Sequence, residues 1–558
     1  MGFVTIENML SFFKHLPYSA CPENEKISLV EGVGTPGEML SLSFSISSPD
    51  SITELLLSPT DLKSSNNLIP KSCIDLFVVK VWEQAGIGVY QSASVPVAEL
   101  LLKDDRAQLH DCYTRRGRCQ HWKHLLRRTA LYQPPDVRID ADILTSLEAN
   151  QSKQVWVSVR IPSHTMAGIY NGHINLHEQH QKTVQRLDLQ IEVLPIKLLE
   201  ADQDLFIWFK GTLDCNWPQH YLSEERFRSQ LQDIYLHGFR SISLNEYSSD
   251  RLQRAVDIAD DIGFNRNVVL TYPCPARFSK INFRNLNPIY YISDEIDVRG
   301  ERSVRDHIDQ WHRIKHTGRP TMASLVQQSF ARRIFDESDI GCPPEILSYY
   351  LSSNLTYFLA HSEFPQLRER KTYYYWHSHM EKPDVHRVLA GLYLWKSKAD
   401  GIAPYCYQHL PSAPFSPFDD FDEWEPSFQL GSVKKAFKDH MTTYPATSGS
   451  IPTRQWKGLA DGINDLRYLT TLAATIKKYE TCKSPEVQSC ISESWGRVER
   501  FLRRISLNQI DILSETNPVP YEGISSEEYA RFREQVGRDI VALDAVASTE
   551  LKMTVLQN

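Results

Sequence analysis

A chain of 558 residues is too long for one hydrophobic core, so two or three domains are expected. Its 61 Lys and Arg against 69 Asp and Glu leave a net charge of -8 with both signs mixed along the chain, which gives no support to nucleic-acid binding. No apolar run approaches the roughly 18 residues of a membrane span, and the ten cysteines lack zinc-ribbon or Cys-x-x-Cys spacing and read as free thiols.

Residues 1–7 carry neither the basic segment nor the apolar stretch of a secretion signal, and Ile6 argues against myristoylation at Gly2. A cytoplasmic protein is the expectation as the sequence is written, a secreted one if a signal has been removed. The oligomeric state is unread.

Residues 1–197 carry strand signals and few helical ones. The stretches 39–46, 155–161 and 187–193 alternate apolar and polar residues with period two, so each presents one wet and one buried face, and an antiparallel β-sandwich follows. Between the last two, Gly168 and Asn171-Gly172 read as turn residues of positive φ, ahead of a strand over 173–176. The stretch 104–133, with Arg115, Arg116, Arg118, Arg127 and Arg128, reads as a decorated, solvated loop rather than an anion site.

Past Pro195 the period changes. Residues 205–209 form a continuous apolar run, then Ser223 caps a helix that reaches His237 and stops at Gly238. Strands follow at 241–244, 267–271, 289–293, 321–324, 346–350, 371–376 and 401–407, with a helix over about 249–262 and none evident over 274–286. Counting the first run, eight buried strands alternate with amphipathic helices over roughly 250 residues, the pattern of a (β/α)8 TIM barrel. From Thr447 onward the text is helical. Thr453-Arg454 opens a helix with Trp456, Leu459, Ile463, Leu466 and Leu469 on one face, read as the helix that closes the barrel, and two more are expected near 485–508 and 525–550. The predicted parts are a β-sandwich over 1–197, a catalytic (β/α)8 barrel over 198–480 and a C-terminal helical extension over 481–558.

In such a barrel the chemistry belongs at the C-terminal ends of the strands. Those ends carry Trp208 and Lys210, Glu246, Tyr272, Asp294 with Glu295, Asn354, Trp376 with His377, and Tyr405, Tyr407 and Gln408. The run 287–296 stands out because Ile289-Tyr290-Tyr291-Ile292 ends in two adjacent carboxylates. Successive strand residues face opposite ways, so Asp294 and Glu295 reach one substrate only where the chain leaves strand geometry.

Carboxylates among aromatics suit sugars, since ring faces pack on the C–H face of a pyranose while carboxylates bind hydroxyls and move protons. Glycoside cleavage needs an acid for the departing oxygen and a second group for the oxocarbenium-like centre. Glu295 and Asp294 are the expected catalytic pair. Glu246, Tyr272, Trp376, His377, Tyr405, Tyr407, Gln408 and Trp208 are the expected substrate contacts, with Glu246 also the rival catalytic carboxylate. His377 and His379 form a His-x-His pair with no third ligand, so no metal or cofactor is expected. Trp395 and the tyrosines at 373–375 read as core packing.

On Ala167-Gly168-Ile169-Tyr170-Asn171-Gly172, Tyr291-Ile292-Ser293-Asp294-Glu295, Leu394-Trp395-Lys396 with Asp400-Gly401, and most specifically Tyr444-Pro445 through Ser450-Ile451-Pro452-Thr453-Arg454-Gln455-Trp456 and Gly462-Ile463-Asn464-Asp465-Leu466-Arg467-Tyr468-Leu469, the sequence resembles the β-N-acetylgalactosaminidases of glycoside hydrolase family 123 and the proteins sharing their barrel. The resemblance covers most of the chain from about Val155. It implies a sandwich followed by a catalytic barrel and a retaining, substrate-assisted mechanism, with Asp294 positioning a 2-acetamido group and Glu295 as general acid/base. Ile296 departs from the pattern, in which a proline commonly follows the pair, and this leaves the glycan open. The alternatives are a glycosidase of the same fold acting on a non-acetamido glycan, and a carbohydrate-binding protein without chemistry. An oligosaccharide or polysaccharide is the expected partner.

Overall fold

The structure, a computed structural model, describes residues 4–9, 26–65, 67–85, 90–91, 94–106, 108–110, 112–115, 130–139, 142–178, 184–217, 220–271, 278–327, 330–351, 369–377, 382–410, 417–418, 436–437, 440–507 and 524–557. Two sheets stack in the N-terminal part. One runs Thr5–Asn8, Met39–Ser47, Ser152–Arg160, Ile74–Ala85, Ser94–Leu102 in spatial order, antiparallel throughout. The other runs Ile143–Leu147, Ile52–Pro59, Gly168–Glu178, Val184–Val193, Leu29–Gly34, and its last pair is parallel, so this sheet is mixed.

Period-two alternation builds the core between the sheets: Phe44, Ile46, Val155, Val157 and Val159 join Leu55, Leu57, Tyr170, Ile174, Leu187, Leu189 and Ile191. The expected wet face of the first sheet is covered, with Trp156 buried among Phe77, Val79, Ala98 and Leu101, because a long helix described below lies over it.

Two local expectations are corrected. The strand Gly168–Glu178 runs unbroken through Asn171-Gly172, and only Gly168 has a positive φ. Gly172 serves close approach instead of a turn, since a Cβ there would stand 2.6 Å from Leu62 Cδ2 and 2.7 Å from the Asp61 carbonyl oxygen. Within 104–133, Cys112–Arg115 pairs with Ala130–Gln133 as an antiparallel ladder. Arg116, Arg118, Arg127 and Arg128 lie outside the described residues.

The second body is a curled sheet of eight parallel strands: β1 (Asp204–Leu205), β2 (Ile242–Leu244), β3 (Asn267–Leu270), β4 (Asn287–Ser293), β5 (Thr321–Leu325), β6 (Ile346–Tyr350), β7 (Lys371–Tyr375) and β8 (Gly401–Ile402), in spatial order β1-β8-β7-β6-β5-β4-β3-β2. Its edges β1 and β2 are bridged where Ser241 N donates to Leu205 O at 3.3 Å and Phe209 N to Ser243 Oγ at 2.8 Å. Helices α1 (Glu224–Leu236), α2 (Ser249–Ile262), α3 (Glu301–Lys315), α4 (Phe330–Phe335), α5 (Pro383–Ala390) and α6 (Leu392–Ser397) alternate with the strands. The predicted cap of α1 is present, Ser223 Oγ accepting from Arg226 N. The regular part of β8 is shorter than predicted, although Ala403 N, Tyr405 N and Tyr407 N still bond the flanking chains.

The N-terminal end of the sheet is plugged by Asp204, which accepts from Ser241 Oγ, from Asn267 Nδ2 at 2.6 Å and from Tyr373 Oη at 2.7 Å.

Helix α7 (Arg454–Tyr479), capped by Thr453, is buried on nearly every side. It packs on α5, α6 and α9 (Ser526–Gln557), and touches the strands Met39–Ser47 and Ser94–Leu102. α8 is Pro485–Arg503. Where α7 meets α5 and α9, Arg387 grips Asp465 in a bidentate pair at 2.6 and 2.8 Å. Beside it Arg533 of α9 reaches Asp461 at 2.9 Å and Glu38 of the sandwich at 3.3 Å. Among the described residues no helix is long and apolar enough to cross a membrane.

Candidate active site

The apolar run of β4 ends at Ser293, and the chain leaves strand geometry at the next two residues, as a shared reach of both acids requires. Glu295 has φ +45°, a left-handed conformation that disfavours a Cβ, and Val298 N and Arg299 N turn back to its carbonyl oxygen at 3.1 and 3.3 Å. Neighbouring β5 holds this turn: Glu295 N donates to Ser324 Oγ at 2.8 Å and Ile296 N to Ser324 O at 3.3 Å. Ile296, where the sequence resemblance expects a proline, thus spends an N–H that proline does not have.

Both carboxylates face one side of the turn in unlike surroundings. Asp294 Oδ1 accepts from Tyr291 Oη at 2.6 Å and Ser324 Oγ at 3.2 Å, and the Arg299 guanidinium pairs with its other oxygen. Glu295 Oε1 accepts from Tyr375 Oη at 3.0 Å, with Arg299 3.9 Å from Oε2. The Glu295 side chain is 25% exposed against 49% for Asp294. Burial, and next the charge of Asp294, push the Glu295 carboxyl above the ordinary range, outweighing Tyr375 and Arg299.

Strand parity builds the wall beside the pair. Along β7, Tyr373 and Tyr375 point into the sheet interior and His377 continues their row onto the mouth, whereas Tyr374 Oη bonds Leu389 O at 2.5 Å and Trp376 Nε1 bonds His386 Nδ1 at 3.0 Å on α5. The sequence-predicted neighbours Trp376 and His377 therefore part company, Trp376 being fully buried behind the sheet. His377 lies in ring contact with Tyr350 (5.3 Å), Tyr405 (6.0 Å) and His440 (4.6 Å). Burial lowers its pKa to about 4 against the pull of Asp294. Tyr405 Oη meets His409 Nδ1 at 3.0 Å, and Lys210 Nζ stands 5.2 Å over the Tyr405 ring. Burial, then Lys210, bring His409 to about 4 as well. The rim is thus aromatic, and burial keeps the His377 and His409 imidazoles neutral at neutral pH. Trp208 backs it, edge-on to Tyr291 at 4.7 Å.

Other predicted residues are buried in hydrogen-bond networks. Glu246 is 2% exposed and braces the turn after β1, accepting from Leu213 N at 2.7 Å and Thr212 Oγ1 at 3.0 Å, and burial raises its pKa. Tyr407 is buried, donating to Asp233 Oδ2 at 2.8 Å, and Gln408 bonds Gln230 and Thr443. Tyr272, Asn354 and His379 lie outside the described residues.

The structure adds Tyr291, Ser324, Tyr375 and Arg299 to the pair. Parity along β7 was a usable signal for Tyr375, but nothing in the sequence marked Ser324, whose place depends on the β4–β5 register. Among the described residues, no three His, Cys, Asp or Glu side chains converge as metal ligands.

Residues 11–178 match the glycoside hydrolase 123 N-terminal domain. The whole chain superposes on a family 123 glycoside hydrolase from Clostridium perfringens, described for glycolipid glycan hydrolysis, at 12% identity with 99% of each chain covered and a TM-score of 0.61. A β-glucuronidase from Parabacteroides merdae (9% identity, 69% of this chain and 48% of that one, TM-score 0.27) and a GH99 endo-α-mannosidase from Bacteroides thetaiotaomicron (9%, 49% and 100%, 0.28) align more loosely. No curated protein sequence matches the chain. The resemblance to glycoside hydrolase family 123 read from the sequence mainly beyond Val155 is met by a match to that family's N-terminal domain over residues 11–178 and by a fold shared along the chain with a family 123 structure.

Proposed function

We propose that the chain hydrolyses a glycosidic bond at the C-terminal end of the parallel sheet, with Glu295 as general acid/base and Asp294 as its partner. The observation that carries this is the unlike treatment of two adjacent carboxylates on one turn. Glu295, half-buried and with its carboxyl shifted upward by burial, is the member of the pair suited to give a proton to the departing oxygen. Asp294 accepts from two hydroxyls and pairs with a guanidinium, which fix where its carboxylate points.

The family's fold suggests a 2-acetamido sugar. Its carbonyl oxygen attacks the anomeric carbon as Glu295 protonates the leaving oxygen, Asp294 holds the acetamido N–H, and water activated by the Glu295 carboxylate then opens the oxazolinium with retention. The same reading takes the sheet as a closed (β/α)8 barrel in a catalytic body over 198–480, flanked by the sandwich over 1–197 and the helices over 481–558. The bonds bridging β1 and β2 support closure. A glycan such as the glycolipid headgroup of the Clostridium relative is the substrate class.

Glu295→Gln is expected to lower turnover of an aryl β-N-acetylgalactosaminide about 100- to 10,000-fold while calorimetric sugar binding survives. An unchanged rate removes Glu295 from the mechanism. Failure of a thiazoline inhibitor, combined with cleavage of 2-hydroxy sugars, replaces assistance by the substrate with a direct protein nucleophile.

A further inference from the structure

The turn after β1 is framed by hydrogen bonds among its described residues. Thr212 N bonds His220 O at 3.0 Å and Leu222 N bonds Thr212 O at 2.9 Å, closing its stem. Inside it, Asp214 N donates to Thr212 Oγ1 at 3.0 Å, Asn216 N to Asp214 Oδ1 at 2.9 Å and Trp217 N to Asp214 O at 3.0 Å. Buried Glu246 braces it from below, and the Asp214 carboxylate pairs with Arg251 of α2.

What this frame presents is Trp217. The indole is 46% exposed and lies flat on Tyr247, centroids 4.9 Å apart at 11°. Tyr247 follows β2 directly after Glu246, so one carboxylate fixes both halves of the stack. One indole face is covered by Tyr247 and the other is left to solvent, a large apolar area held rigid in water. Because the strands are parallel, the turns after β1 and β2 stand at the same end of the sheet as Asp294 and Glu295 after β4.

We propose that Trp217 and Tyr247 form a stacking platform for a pyranose ring of the glycan remote from the bond that is cut, so that the substrate is an oligosaccharide and not a single sugar. The open indole face meets the C–H face of that ring. Glu246 is its positioning residue, which gives a buried carboxylate at a strand end a role. The proposal rests on the hydrolase reading above.

The test uses the full chain, Trp217→Ala and Trp217→Phe, with two probes: a tetrasaccharide ending in β-linked N-acetylgalactosamine and the 4-nitrophenyl glycoside of that sugar. The kcat/KM ratio of tetrasaccharide to aryl glycoside is expected to fall about tenfold in Trp217→Ala, through KM, and to be largely restored in Trp217→Phe. The same ratio in all three proteins overturns the platform. If the unaltered protein cleaves neither probe, the hydrolase reading for this sugar is what fails, and calorimetric titration with the tetrasaccharide decides. Binding weakened about tenfold by Trp217→Ala sustains the platform. Equal binding by both proteins, or none by the unaltered one, overturns it.

Discussion

Asp294 and Glu295 share a peptide bond yet sit on opposite sides of a burial gradient, and the groups around Glu295 set its titration in opposing directions. Asp294 raises its pKa by like charge, whereas Tyr375 lowers it by donating to the carboxylate. With Glu295 as proton donor, rate is lost on the alkaline side as it ionises. Asp294→Asn is expected to move that limb of the kcat/KM profile to lower pH, and Tyr375→Phe to higher pH. Identical limbs in both variants and the parent would detach the profile from Glu295. The pair itself was legible in the sequence because two acids end an apolar run, and His377 and Tyr405 were legible as strand ends. Ser324, Tyr375 and Arg299 acquire their roles from pairing and turn geometry, which residue type does not encode. Glu246 and Trp376 were picked for their position at strand ends, where burial and side-chain parity then turned them elsewhere.

At the scale of elements, α7 gives the block around Gly462 a packing reason. A Cβ on Gly458 would stand 2.1 Å from Pro383 O, and one on Gly462 2.3 Å from Arg387 O, so α7 and α5 touch backbone to backbone. A carbonyl in a helix cannot swing aside as a flexible side chain can. Gly458→Ala is therefore expected to cost about 1–3 kcal/mol, the ordinary range for an overpacked contact, read as a lower midpoint in urea or heat. An unshifted midpoint would mean that the two helices reseat freely. The apolar spacing from Trp456 to Leu469 predicted the helix but only one buried face. Its polar faces are buried too, because the sandwich, α5 and α9 surround it, and periodicity says nothing about how many neighbours arrive.

Across the whole molecule, strand order was legible because continuous apolar runs alternating with capped helices admit few topologies. How the parts join was not, since the join combines a shared apolar cluster, in which Trp82 and Leu100 meet Met441 and Ile451, with a buried ionic cluster. Glu38, Asp461 and Asp465 lie buried around Arg533 and Arg387, and burial raises the Glu38 pKa even beside Arg533. Arg533→Ala removes the one guanidinium that reaches all three of these buried carboxylates, and a loss of about 3–5 kcal/mol is expected. Denaturant unfolding checks this; a variant as stable as the parent would show that water or protonation compensates the loss.

Glu38 and Arg533 stand 495 positions apart. During translation Glu38 emerges long before the base that pairs with it, so the nascent protein must wait with its halves unlatched and its apolar seams open to chaperones until α9 arrives.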